Sequence, residues 1–196
     1  MDANGFATAY ALSTSIGLRP FLTLAFASLA MHLGYLHPSP SFAYLGSGGA
    51  TWLLVGLAVV EFAGDKVPGV DHTLHVMNFA TKPIAAALLV GSAVPATGAP
   101  DATTYALMSL GALNALGVHS GVSALRAGST AVTLGTANPF LSVVEDVVAI
   151  GATLLAVIAP FLGAIVALFL TVLVLVAARY LYLRLRRRNR QPVPVR

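Results

Sequence analysis

Long apolar runs separated by short clusters of Pro, Gly and Ser make up most of the chain. The first runs from about Phe6 to Leu36 and is interrupted by Gly17-Leu18-Arg19-Pro20. Proline removes a helix hydrogen bond and disfavours helix in the residue before it, so this stretch predicts a kinked helix or two pieces meeting at Arg19. His37 to Gly49, rich in Pro, Ser and Gly, predicts a loop. Thr51 to Ala63 is apolar and stops at Gly64-Asp65-Lys66-Val67-Pro68-Gly69. Asp71 to Phe79 predicts a short interfacial helix, and Lys82-Pro83 opens a further apolar run to about Val94. A second loop, Pro95 to Asp101, lies at the middle of the chain. Beyond it, Tyr105 to Val118 predicts one helix, and His119 to Thr133 a segment of small residues suited to close helix contact. Asn138-Pro139 starts a helix to about Ala159, and Pro160 separates it from a last, almost wholly apolar helix, Phe161 to about Leu183.

Composition sets the medium in which these helices sit. Of 196 residues, 57% are hydrophobic and 9% charged, where soluble domains carry roughly a quarter. Mean hydropathy is +0.84. So few charges cannot cover a 20.1 kDa globule in water. The expected fold is all-α: a polytopic transmembrane bundle of about six spans with broken or kinked helices, each span needing about 20 residues. Leu57 to Glu61 resembles Leu141 to Glu145, which raises an inverted repeat of two three-helix halves, 1–97 and 101–178. The spacing disagrees: Arg19 lies more than twice as far from Glu61 as Arg126 does from Glu145.

The net charge of +4 divides unevenly. Seven of the eleven Lys and Arg follow residue 178, with no acid among them, which leaves four bases against seven acids in the body. Residues 1–178 thus read as one transmembrane domain and 179–196 as a basic tail. Under the positive-inside rule that tail is cytoplasmic, in a multi-pass protein of a bacterial inner membrane. The N-terminus lacks a basic region and a cleavage site, so the first helix is expected to be retained. The bases show no patterning for nucleic acid; they suit a topology anchor touching anionic lipid. Absence of cysteine excludes thiolate chemistry. No serine sits in a Gly-x-Ser-x-Gly elbow, and Gly46-Ser47-Gly48-Gly49 lacks the Lys and Thr of a phosphate loop. No enzyme and no cofactor are expected.

The remaining charges are where chemistry is to be sought, because an ionised group at the centre of a membrane helix costs about 2.5–3.5 kcal/mol on insertion scales. Glu61 and Asp65, four apart, share a helix face, and two such carboxylates need a shared proton, a cation or an arginine. Glu145 and Asp146 are adjacent and so point about 100° apart; Glu145 is the one expected to face the same site. All four are candidates for ion binding or proton carriage, with Arg19, Lys66 and Arg126 as counter-charges. A structural alternative pairs Glu61 with one of the two arginines and Glu145 with the other. Asp71-His72-x-x-His75 offers metal ligands but too few for a site alone, which leaves any metal unknown; Asp71 is kept as an accessory. His119 suits a hydrogen bond to backbone or a proton relay.

Several of these residues carry a resemblance. Gly17-Leu18-Arg19, the string from Glu61 to Asp71, Lys82-Pro83, His119 to Thr130, Asn138-Pro139 and Glu145-Asp146, with the Arg-rich end, resemble the bacterial membrane family known as domain of unknown function 4126. The resemblance covers nearly the whole chain and implies membrane location without an activity. In that family a second basic residue often sits between His119 and Arg126, where this chain has Val122 and Ser123. A weaker likeness is to calcium/manganese cation–proton exchangers, which use Glu-x-Gly-Asp-Lys-Ser/Thr in each half. Here Glu61-x-x-Gly64-Asp65-Lys66 is one residue longer, with Val67 at the hydroxyl position. The expected function is transport of a small ion, as a proton-coupled cation exchanger in the lipid bilayer. The alternatives are a structural or scaffold subunit, and an anion or lipid-headgroup transporter using Arg19 and Arg126. The small-residue faces are compatible with a homodimer.

Overall fold

The structure, a computed structural model, describes residues 3–65, 70–94 and 99–188, without the side chains of 70–75 and 185–188. The helices are α1 (Ala3–Leu18), α2 (Pro20–His32), α3 (Gly48–Gly64), α4 (Val70–Ala93), α5 (Ala102–Thr133), α6 (Asn138–Ile158) and α7 (Pro160–Arg188), with a 3-10 turn at Pro40–Gly46. No strand occurs among the described residues.

Two X-Pro steps make two of the sharpest turns. Arg19 and Ala159 each precede a proline that begins a helix; Arg19 is extended, at φ −136°, ψ 98°, and Ala159, at φ −141°, ψ 74°, also lies outside the α region. A proline ring disfavours the α region in its predecessor. At the second turn a Cβ added to Gly163 would lie 3.0 Å from the Ala156 Cα, so α7 folds back on α6. At the first, α2 folds back beside α1. Lys82 of α4 meets Gly17 and Leu18, whereas Val90 and Val94 pack with Ala9 near the start of α1. Ser39, shortly past α2, donates to the Ser92 carbonyl at that same end. Glu61 at the end of α3 returns to Phe21 and Leu22. The seven helices among the described residues therefore alternate in direction, and Arg19 is the tip of an α1–α2 hairpin.

α1 forms the centre, against α4, α5, α6 and α7. It is lined with small residues, and most of it is buried. Gly17 touches α5 so closely that a Cβ would fall 2.5 Å from the Val118 Cβ. Gly121 and Gly128 of α5 seat Val174 and Leu181 of α7 in the same way. α7 is the outermost helix, with 11% of its apolar stretch buried against 44% for α4.

Among the described residues, Val76–Ala93, Asn138–Ile158 and Pro160–Arg184 are long and apolar enough to cross a membrane. The 3-10 turn and α3, bent by 60°, make a fourth candidate as one broken span. α1 and α2, at 16 and 13 residues, are each shorter than a full crossing needs.

Three expectations are corrected. The stretch 37–49 is not all loop: Ser47 caps α3 by accepting from the Ala50 amide, and the helix starts at Gly48. The segments expected on either side of Lys82 are one helix, α4, with Pro83 inside it. The lost hydrogen bond is offset by burial of Ala85, Ala86, Leu89 and Val90 in the bundle. Likewise α5 runs unbroken through His119 for 32 residues and ends at Leu134 and Gly135, whose φ of 54° and 85° no helix continues.

Candidate functional site

The hairpin tip exposes two sets of backbone groups. The last carbonyls of α1 have no helical partner, nor do the first amides of α2. Both ends are met by side chains of opposite charge. Glu61 Oε2 accepts from the Phe21 and Leu22 amides at 3.0 and 3.1 Å. Lys82 Nζ donates to the Gly17 and Leu18 carbonyls, both at 2.9 Å, and to His119 Nδ1 at 2.9 Å. Each charge has the sign its helix end favours. An ammonium has only donors, so His119 Nδ1 accepts and the ring proton sits on Nε2. His119 is fully buried, edge-on to Phe79.

Arg19 extends from the tip towards α3 and α6. It forms an ion pair with Asp65, meets Asp146 Oδ1 through Nε at 2.8 Å, and lies 3.6 Å from Glu145 Oε2. Its Nη2 also donates to the Ser142 hydroxyl at 2.7 Å and carbonyl at 3.0 Å. Arg126 binds Glu145 through two parallel hydrogen bonds, Nε to Oε1 at 2.9 Å and Nη2 to Oε2 at 2.8 Å, with Asp65 3.8 Å away. Between Arg19, Lys82, Arg126, Asp65 and Glu145 lies a cavity of about 10 Å³, which Asn78 and His119 also line. That is room for about one water molecule. Glu61 Oε1, also buried, has no hydrogen-bond partner among the described residues.

The predicted site residues thus largely converge. Glu61, Asp65, Glu145, Asp146, Arg19, Arg126 and His119 all reach the tip. Asp146 is a correction, because it faces the site alongside Glu145 and meets Arg19 more closely. Arg19 reaches both acids of α6, and Arg126 reaches Glu145. The structural pairing is corrected too: Glu61 meets backbone amides, while Glu145 is the residue bound by Arg126. Lys66 lies outside the described residues, and so do the side chains of Asp71, His72 and His75. No group of three metal-ligating side chains occurs among the described residues.

Two residues escaped the sequence reading as site members. Lys82 stands out in the sequence as a base among costly charges, but with Pro83 after it reads as a helix start and has no assigned part in the site. Ser142 lies three and four residues before Glu145 and Asp146, which is the helical spacing that puts all three near one face.

The profile of the family described as Domain of unknown function (DUF4126) matches residues 6–180. The chain belongs to that family. The match takes in both X-Pro turns and every residue of the charged cluster. No curated protein and no solved structure matches the chain.

Proposed function

We propose that the protein is a membrane transporter of a small ion, working as a proton-coupled cation exchanger with its site at the α1–α2 tip. The observation that carries this reading is the charge balance there. Among the described residues, Glu61, Asp65, Glu145 and Asp146 face Arg19, Lys82 and Arg126, so ionised side chains leave one negative charge over. A surplus charge in a buried cluster is neutralised by a proton or a cation, and exchanging one for the other is the chemistry of an antiporter. Discontinuous helices whose ends meet at ion sites are a recurrent device of secondary transporters.

The reading places the chain in a bacterial cytoplasmic membrane with its Arg-rich tail inside. If the 32-residue α5 joins the four candidates above, α3 to α7 make five crossings, and the α1–α2 hairpin enters from outside without crossing. This replaces the sixth span, and it puts Asp65 on the cytoplasmic side and Asp101 outside.

Proteoliposomes holding a pH-sensitive dye test it. Addition of an outward or inward cation gradient should drive a pH change that empty vesicles lack. Glu61→Gln keeps an oxygen for the Phe21 and Leu22 amides but removes the surplus charge, and should slow the flux at least tenfold. Unchanged flux in that variant would overturn the site assignment.

A structural reading is favoured by one observation, the engagement of both guanidinium groups by carboxylates. It requires that Arg19→Ala lower the melting temperature sharply while no ion changes that of the wild type.

A further inference from the structure

We propose that Lys82 is a tethered occupant of the transporter's cation seat, and that a small monovalent cation takes the place of its ammonium group when Lys82 gives up a proton. The inference rests on the transporter reading and names what that site binds and where the coupled proton resides.

Lys82 differs from the other cations of the cluster. Arg19 and Arg126 are permanently charged and bound to carboxylates. Their partners are Asp65, Glu145 and Asp146. Lys82 places all three of its donors on neutral acceptors, Gly17 O, Leu18 O and His119 Nδ1. No carboxylate lies within ion-pair distance of it among the described residues. Buried lysines are the cations that most readily exchange protons. Two carbonyl oxygens at the C-terminal end of a helix are also a seat for any small cation, because the helix dipole places its negative end there.

The adjoining cavity supplies the other half of the argument. Lys82, Leu18, Asp65 and Glu145 are among the residues that line it, and it has space for about one water molecule. Once the ammonium turns out of one of its three hydrogen bonds, Lys82 can pass that proton to a water there: the N–H bond breaks, the amine keeps the electron pair, and the water leaves as hydronium. The charged groups around this step are Glu61 from α3, Arg19 at the tip, Arg126 from α5, and Glu145 and Asp146 from α6, with Asp65 closing the side towards α3. Loss of the proton changes the cluster from one surplus negative charge to two. A monovalent cation against Gly17 O and Leu18 O restores the original balance, so exchange is one for one and electroneutral.

The charge of the cargo follows from the same count. A divalent cation would need several carboxylates around it, and no group of three metal-ligating side chains is present among the described residues.

The test is thermal unfolding of the purified full-length protein in detergent, with lithium, sodium, potassium or ammonium chloride against choline chloride, from pH 6 to 9. Bound ligand raises the melting temperature according to its affinity. In the wild type one of these cations should stabilise, and its midpoint concentration should rise about tenfold per pH unit on the acid side, as one proton competing with one cation requires. Lys82→Met should keep the cation effect and lose the pH slope. His119→Gln, which retains an acceptor for Lys82, should keep the slope with a displaced midpoint; it serves if Lys82→Met does not fold. A wild-type cation effect that is independent of pH, or an equal slope in Lys82→Met, overturns this proposal and leaves the transporter reading standing. So does loss of the slope in His119→Gln while wild type and Lys82→Met behave alike. No effect of any cation on any of the three proteins overturns both.

Discussion

Arg126 clasps Glu145 at two points, with Nε 2.9 Å from Oε1 and Nη2 2.8 Å from Oε2. The fork of a guanidinium matches a carboxylate in this way and an ammonium does not. Arg126→Lys is therefore expected to destabilise although it keeps the charge. Arg126→Ala should be worse, though below the about 3–5 kcal/mol for breaking a fully buried pair, because this one is part-buried. Glu145→Ala added to Arg126→Ala should recover part of that loss. Melting temperatures of the two single variants and the double variant form the cycle that checks it.

Close helix contact rests on particular glycines. Gly17→Ala and Gly111→Ala would place a Cβ 2.5 Å from Val118 Cβ and 2.4 Å from Val90 Cγ2. Overpacking of this kind costs about 1–3 kcal/mol. Gly56→Ala and Gly117→Ala meet nothing within 4 Å, and should be neutral or stabilising. Equal losses at all four positions would show that the packing of α1 against α5 and of α4 against α5 is not as described.

The five crossings proposed above would put the two chain ends on opposite sides of the membrane. The chain has no cysteine, so single cysteines report position without background. A membrane-impermeant maleimide applied outside spheroplasts should label Asp2→Cys and Ala99→Cys and spare Arg196→Cys. Labelling of Asp2→Cys only from the cytoplasmic side would instead mean that α1 and α2 together make one full crossing.

Asp101 opens α5, accepting from both the amide and the hydroxyl of Thr104 at 2.7 Å. Those two hydrogen bonds hold its carboxyl below the usual range. A lowered pKa means that the cap is complete above the ordinary carboxylate range and is lost as pH falls through the lowered value. Hydrogen exchange in the first turn of α5 should speed up at acid pH relative to Asp101→Asn, which keeps its acceptor throughout. Identical profiles for the two proteins would show that the cap contributes nothing.

The charged cluster was legible as a list of residues and illegible as an arrangement. An apolar chain with few charges makes each one conspicuous, which is why Arg19, Glu61, Asp65, Arg126, Glu145 and Asp146 stand out in the sequence alone. Their partners do not follow from spacing. Glu61 could be expected to seek an arginine, yet it meets the amides that Pro20 leaves at the start of α2, and those amides come together only because the hairpin turns there. Glu145 and Asp146 reach one site because arginine side chains are long enough to cover the 100° between them.

Local rules determined the rest of what the sequence carried by itself. The apolar runs set the helical class and the affinity for a membrane. Arg19-Pro20 and Ala159-Pro160 set the two breaks, because a proline acts on its own neighbour whatever the surroundings. Those rules act within a few residues and contain no direction in space. Whether α2 continues α1 or folds back beside it depends on which surfaces of α3, α4 and α6 it can bury. The tertiary structure alone decided that, and with it the meeting of Lys82, from a helix some sixty residues away, with the carbonyls of Gly17 and Leu18.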